Sequence, residues 1–192
     1  MASFSVVSLA TDEIVELRNV SFPNKVAYAE RWGYGCIMST VAEATRPASW
    51  SKILLLLNNL GRSEWLWWSD ADSVVTCFEV TLSSLVVSGA DLILCSDTNG
   101  INCGSMLVRS CGAVESFLQA VWQEAQFVNH CWWEQAAVRF LLRRGFPIDV
   151  HVWPQRYMNS YPEDWCAGDF LLHCPNRPDQ AAILKRFLQA GS

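Results

Sequence analysis

The chain has 192 residues, 51% of them apolar and 17% charged, with a formal net charge of −5. That balance suits one folded domain with a substantial core and excludes a disordered chain. It also argues against a nucleic-acid binder, whose phosphate contacts need clustered Lys and Arg, so any nucleotide is expected as a small, metal-bridged ligand.

The N-terminus, MASFSVVSLATDEIVELR, has too short an apolar run for a secretory core and meets acid at Asp12. The longest apolar run, Ile53 to Leu57, is far below the ~18 residues of a spanning helix. A soluble, cytoplasmic chain without a transmembrane segment is expected. None of the eight cysteines forms a Cys-x-x-Cys pair, which argues against a zinc ribbon or a thioredoxin-type site. Most are expected as buried free thiols in a reducing compartment.

In chain order, Phe4 to Ala10 reads as a strand, with Thr11-Asp12 starting a helix. Pro23 is expected to break that helix, with Asn24 capping a second one that stops at Gly33 and Gly35. Cys36 to Thr40 is a strand, and Ser49 caps a helix with apolar positions 50, 53, 54, 57 and 60. Trp65 to Trp68 lacks polar alternation and reads as a buried strand. A short helix follows over Leu82 to Val87. Asp91 to Cys95 and Ser105 to Val108 are strands joined by the turn-rich DTNGINCG. A helical stripe at 114, 117, 118, 121, 122 and 125 precedes a helix from Trp132 to Arg144 that Gly145 ends. Val150 to Trp153 and Phe170 to His173 are strands flanking a long loop, and Asp179 to Ala190 is the closing helix. The alternation predicts a single-domain α/β sandwich with a mainly parallel sheet, whose ligands sit at the carboxyl ends of the strands. Asp12, Asp70, Asp72 and Asp97 all fall at that end.

Asp70-Ala71-Asp72 directly follows the tryptophan-rich strand, and residues i and i+2 there project to one side. Two crowded carboxylates repel unless a cation neutralises them, which suits Mn²⁺ or Mg²⁺ holding a diphosphate; turn-capping aspartates are the plainer alternative. The turn Asn99 to Ser105 has Gly100 and Gly104, and Asn102 and Ser105 offer hydrogen bonds to a sugar, unless it is only a turn. It is no phosphate-binding loop, because no Gly-Lys-Ser/Thr follows. Glu134 and Gln135 are polar residues opening an aromatic-rich helix, suited to sugar hydroxyls or simply to a helix N-terminus. His173 ends an apolar strand, as a satisfied core histidine or as a third metal ligand.

Together these segments resemble glycosyltransferase family 34, which joins fungal α-galactosyltransferases and plant xyloglucan α-xylosyltransferases. The matching stretches run in the family's order: NKVAYAERWGYG, WSKILLLLNNL, EWLWWSDADSVVT, DTNGINCGSMLVRSC, WEQAAV, PQRYMNSYP and GDFLLHC. The resemblance implies a GT-A fold, a Rossmann-like α/β/α sandwich. It further implies retaining transfer of a hexose or pentose from a UDP-sugar to a glycan hydroxyl, with Mn²⁺ or Mg²⁺. It makes Asp70, Asp72 and His173 the metal ligands. Ala10, Thr11, Tyr28, Lys52, Asp70 and Ala71 become nucleotide contacts, and Asn102, Gly104 and Ser105 line the sugar site. Asp97, Glu134 and Gln135 are carried over as catalytic candidates. Two departures stand out. Trp133 and Glu134 replace the two aspartates that precede the glutamine in plant members. Cys174-Pro175-Asn176-Arg177 replaces the Gly, Cys and lysine after the histidine. A non-catalytic carbohydrate-binding module and a metal-dependent nucleotide-sugar phosphohydrolase are the alternatives.

Overall fold

A computed structural model describes residues 2–190. The first strand, β1 (Phe4–Leu9), is buried along its whole length. It leads through a short 3-10 turn into α1 (Val15–Trp32), a single helix that continues through Pro23. The expected break there does not occur. Pro23 lies on the exposed side, while Leu17, Val20, Ser21, Lys25, Tyr28 and Ala29 hold the opposite face against the sheet. Tertiary packing outweighs the one backbone hydrogen bond that proline removes. Asn24 is therefore not a cap. Its side chain accepts from the Val75 amide at 2.7 Å and donates to the Val75 carbonyl at 2.9 Å.

Gly33 ends α1 in the left-handed conformation, φ 66°, as a C-terminal glycine should. Gly35 instead opens β2 (Gly35–Ser39), where a Cβ would lie 2.4 Å from Ser5 Oγ. It is there for close strand approach and not as a helix stop. The helix α2 (Ser51–Asn59) follows a 3-10 turn, and Ser49 Oγ makes no capping bond; it is buried without a partner.

Every residue of β3 (Trp65–Ser69) is buried, as the unbroken apolar run predicted. Its side chains divide between two cores. Leu66 and Trp68 pack with α2 residues Ile53 and Leu56 and with α4 (Gly112–Gln123) residues Phe117 and Val121. Trp65 and Trp67 pack with Tyr28 of α1, Leu82 and Leu85 of α3 (Leu82–Leu85), and Phe170. A strand buried on both faces needs no polar alternation, which is why the sequence shows none.

The strands β5 (Leu92–Asp97) and β6 (Gly100–Arg109) form a tight hairpin, with Asp97 opposite Gly100 at φ 103°. Most of the expected turn is thus strand, because only Thr98 and Asn99 are needed to reverse the chain. With β7 (Val150–Pro154) the main sheet is ordered β2-β1-β3-β6-β5-β7. β6 alone runs against the others, so the sheet is mainly parallel. The carboxyl ends of β1, β3 and β5 share one edge, and β6 begins there.

A second sheet was not foreseen: β4 (Ser73–Val75) pairs antiparallel with β8 (Leu171–His173). It packs between α1 and α6 (Gln180–Ala190) around Leu17, Val20, Val74, Leu172 and Leu184. The remaining helix, α5 (Trp133–Arg143), ends before Gly145 at φ 74°. All eight cysteines are free, but only Cys95, Cys103 and Cys174 are buried; Cys36, Cys131 and Cys166 are exposed. Burial is thus less general than expected, because the exposed three lie at element ends and in loops. Among the described residues, no helix is long and apolar enough to cross a membrane.

Candidate active site

A cavity of about 660 Å³ opens at the shared edge of the main sheet. Asp70 and Asp72 occupy the first and third positions of the turn that links β3 to β4, closed by the Ser73 amide on the Asp70 carbonyl at 3.2 Å. The Asp70 amide donates to the Gly104 carbonyl (2.8 Å), which ties the turn to the start of β6. In the small sheet Ser73 sits opposite His173, and the Cys174 amide donates to the Asp72 carbonyl (2.9 Å). That pairing brings a residue distant in sequence to the aspartates. One ligand atom each from Asp70, Asp72 and His173 lies within 4.8 Å of the others.

The donor set suits a divalent ion: two carboxylate oxygens and one imidazole nitrogen are a mixed set that Mn²⁺ accepts more readily than oxygen-seeking Mg²⁺. His173 Nδ1 lies 2.6 Å from Asn159 Oδ1, so Nδ1 is assigned a proton and Nε2 is directed at Asp72. Nε2 donates to Asp72 when the ring is protonated and meets it as a bare nitrogen when the ring is neutral. The ring is seated against Gly104, where a Cβ would come within 2.3 Å of His173 Cε1. Neighbouring side chains already partner these charges. Trp68 Nε1 (2.6 Å) and Lys52 Nζ (3.1 Å) both reach Asp70 Oδ1. His173 Nε2 (3.1 Å) and Gln180 Nε2 (2.9 Å) hold the two oxygens of Asp72. Burial alone would raise the Asp72 carboxyl, but the charge and hydrogen bond of His173 bring it below its ordinary value. For His173, burial works to lower the imidazole and the Asp72 charge more than reverses it, leaving it raised.

Two buried lysines brace the floor. Lys52 bonds the Cys103 carbonyl (3.0 Å) and Glu134 Oε1 (2.8 Å) as well as Asp70. Burial would lower this ammonium, but Asp70 and Glu134 hold it above its usual value. Glu134 itself is raised, because burial outweighs the lysine, and its Oε2 has no protein partner. Lys25 lies wholly inside, donating to the Asp70 carbonyl (2.6 Å), Ser8 Oγ (3.2 Å) and the Ser69 carbonyl (3.3 Å). Burial depresses its pKa to about 7 despite the aspartates above it.

On the β5–β6 side, Asp97 Oδ2 accepts from Tyr161 Oη (2.6 Å) and Asn102 Nδ2 (3.1 Å), and Asn102 Oδ1 accepts the Gly104 amide (2.7 Å). Gln135 Oε1 accepts the Cys103 amide at 2.9 Å. Of the expected site residues, Thr11, Lys52, Asp70, Ala71, Asp72, Asp97, Asn102, Gly104, Glu134, Gln135 and His173 line this cavity. Three lie elsewhere. Tyr28 is buried among aromatic rings with its hydroxyl on the Val80 carbonyl (2.8 Å). Ser105 is buried and accepts Trp67 Nε1 (3.0 Å). Ala10 is buried with its amide on the Ser39 carbonyl (3.0 Å). Ala10 sits between Leu9 and Thr11, both of which line the cavity.

Sequence reasoning missed Lys25, Asn159, Tyr161 and Gln180. Only Lys25 left a signal, since it continues the buried helical stripe Leu17, Ser21, Lys25 at fourfold spacing.

Comparison with known proteins gives a consistent result. A glycosyltransferase involved in glycosylation of the major capsid of PBCV-1 superposes with a TM-score of 0.78 at 14% identity, over 97% of this chain and 99% of that one. A Drosophila β-1,4-galactosyltransferase 7 mutant, in complex with manganese, UDP-Gal and xylobiose, superposes with a TM-score of 0.56 at 16% identity, over 92% of this chain and 72% of that one. The fold is therefore that of the GT-A glycosyltransferases. Residues 6–94 and 86–177 match the galactosyl transferase GMA12/MNN10 family, and the chain belongs to it. The probable α-1,2-galactosyltransferase gmh1 of Schizosaccharomyces pombe is 22% identical over 79% of this chain. This chain covers 60% of that relative's length.

Proposed function

We propose that this chain transfers a hexose or pentose from a UDP-sugar to a glycan hydroxyl, with retention at the anomeric carbon. The observation that carries the reading is the convergence of Asp70, Asp72 and His173 in the cavity of a family 34 chain. The Drosophila structural relative, which holds manganese and UDP-Gal, supports Mn²⁺ as the ion these residues would bind. When bound, the ion supplies Lewis-acid charge to a diphosphate leaving group.

The chain's own residues carry the rest. Lys52 pairs with both Asp70 and Glu134 and offsets part of their charge, which weakens their repulsion of an anionic donor. Arg177 lines the cavity, paired with Glu163 at its rim, and is positioned to exchange that partner for a phosphate oxygen. Asp97, Asn102 and Tyr161 form a linked set of acceptors and donors for sugar hydroxyls. Gln135, fixed by the Cys103 amide, is a neutral amide and a poor nucleophile, so it orients the donor sugar without bonding to it. The acceptor hydroxyl attacks the anomeric carbon from the side the phosphate leaves. The new C–O bond forms as the C–O(phosphate) bond breaks, and the hydroxyl proton passes to the departing phosphate oxygen.

A panel of nucleotide sugars with and without Mn²⁺ tests this by melting temperature and then by turnover. A true donor at a hundredfold excess over its Kd adds about 2.7 kcal/mol of stability. In Asp72→Ala, turnover is expected to fall about a hundred- to a thousandfold, the scale of losing one electrostatic stabiliser of the leaving group. Undiminished turnover in that variant or in excess chelator sinks the reading. So does donor breakdown at the same rate with and without acceptor.

A further inference from the structure

The sequence has ten tryptophans, and among the described residues only Trp132 and Trp133 are exposed, at 40% and 41%. Both line the cavity that holds the carboxylate–histidine cluster. Large exposed indoles at a cavity wall are costly to leave in water and mark binding surfaces more often than they occur by chance. Their placement is also sharply defined. Glu134, the next residue, is only 4% exposed and bonded to Lys52 on the floor. The lining therefore climbs from floor to solvent-facing rim within one residue of α5.

The backbone holds this arrangement under constraint. Trp133 has φ 39°, a left-handed conformation that side chains bearing a Cβ adopt rarely. It is fixed by its amide on the His130 carbonyl (2.9 Å), while the Trp132 carbonyl accepts the Ala136 amide (3.2 Å). The two rings differ in what they touch. Trp132 has the Arg139 guanidinium over its ring at 4.5 Å and His130 at 6.0 Å. Among the described residues, no ring or cation stacks on Trp133. Trp132 is a braced support, and Trp133 is an open aromatic face.

The metal-ligand cluster and Arg177 suit a diphosphate, and Asp97, Asn102 and Tyr161 suit a sugar's hydroxyls. The open indole face of Trp133 suits a ring with an apolar face that arrives from solvent. We infer that Trp133, backed by Trp132, is the acceptor subsite, stacking on a pyranose ring of a neutral oligosaccharide and presenting its hydroxyl to the donor. This rests on the transferase reading above. It deepens that reading by naming the residues that seat the acceptor ring. An indole stacks on the C–H face of a pyranose without needing charge, so the subsite selects by shape and tolerates differences in hydroxyl pattern.

The test compares wild type with Trp133→Ala, Trp133→Phe and Trp132→Ala. Saturation-transfer NMR with cellotriose, mannotriose and xylotriose is run on the protein alone and with UDP and Mn²⁺. Wild type is expected to transfer saturation to the C–H protons of one terminal ring. Trp133→Ala should lose that transfer and raise the acceptor KM about tenfold, with UDP affinity held within about twofold. Trp133→Phe should recover part of the loss, and Trp132→Ala should show a smaller one. Because nothing stacks on the Trp133 ring, Trp133→Ala and Trp133→Phe should melt with wild type, which separates lost stacking from lost folding. Trp132→Ala also gives up its Arg139 and His130 contacts and is read against its own melting temperature. The inference is overturned if no trisaccharide receives saturation, if the acceptor KM of Trp133→Ala is unchanged, or if UDP affinity falls in step with it. If no nucleotide sugar is turned over at all, the transferase reading fails by itself, and the NMR comparison still decides the subsite.

Discussion

The two sheets meet at the turn carrying Asp70 and Asp72 but are held together by different means. The main sheet is six strands wide, and its central strand β3 is covered on both faces by tryptophan-rich cores. The small sheet is two strands of three residues each, too short to be stable alone, and α1, α6 and polar contacts hold it. Asp70 follows directly on the broad sheet, while His173 belongs to the small one. The site is thus a joint between a rigid half that sets the position of one ligand and a lightly built half that delivers another. Stability and metal affinity should therefore respond to different mutations.

The largest effect should come from the broad sheet. Trp67→Ala removes a fully buried indole that packs on Tyr28 and Phe170 and bonds Ser105. It is expected to cost about 3–5 kcal/mol in urea unfolding. A loss below 1 kcal/mol, to order of magnitude for an exposed site, would contradict the two-faced core.

The next effect sharpens the contrast. Gly104→Ala places a methyl 2.3 Å from His173 Cε1, against a ring that Asn159 also holds. The ring must turn or shift, so Mn²⁺ affinity should fall about 10–100-fold by calorimetry, the scale of disturbing a ligand's support. Urea unfolding of the metal-free protein should move far less than in Trp67→Ala. Equal damage to both quantities would mean the two halves are not separable.

The smallest effect is a pH dependence of the metal-free protein. His173 is raised in the fold, so its contribution is fully present below the ordinary histidine pKa of ~6.5 and is lost as pH rises through the raised value. Asp72 is depressed, so its contribution is present above ~3.9 and is lost as pH falls through the depressed value. Lys25, depressed by burial, pushes stability the other way over the same range, so the comparison with His173→Asn isolates the pair. In chelator, the melting-temperature advantage of wild type over His173→Asn should shrink as pH rises through the His173 titration. An advantage that does not change with pH would show that the pair contributes nothing.

Local signals in the sequence were enough for the broad sheet. Apolar-rich runs marked β1 and β3, and the aspartates after them marked the edge where the cavity lies. The hairpin after β5 was placed but read as too much turn, since Gly100 looks alike in a loop and in a strand's first residue. What could not be read is what depends on remote partners. β4 is three residues that become a strand only because β8 arrives beside them, nearly a hundred positions later. Pro23 looked like a stop because propensity is local and the packing that overrides it is not. His173 was assigned through resemblance, and Asn159 and Gln180, which orient it and its neighbour, carry no mark of their own.

Lys25 gives the turn a history. The Lys25 amine, sealed inside and donating to the Asp70 and Ser69 carbonyls and the Ser8 hydroxyl, fixes the backbone of the ligand turn from below. The shape of the turn is therefore completed when the chain folds and is not left for an incoming ion to impose. On the proposed reading, binding a divalent ion would ask only for side chains to exchange partners: His173 and Gln180 would release the oxygens of Asp72 while the main chain stays where the lysine anchors it. A socket finished during folding would be emptied and refilled without the protein having to rediscover it.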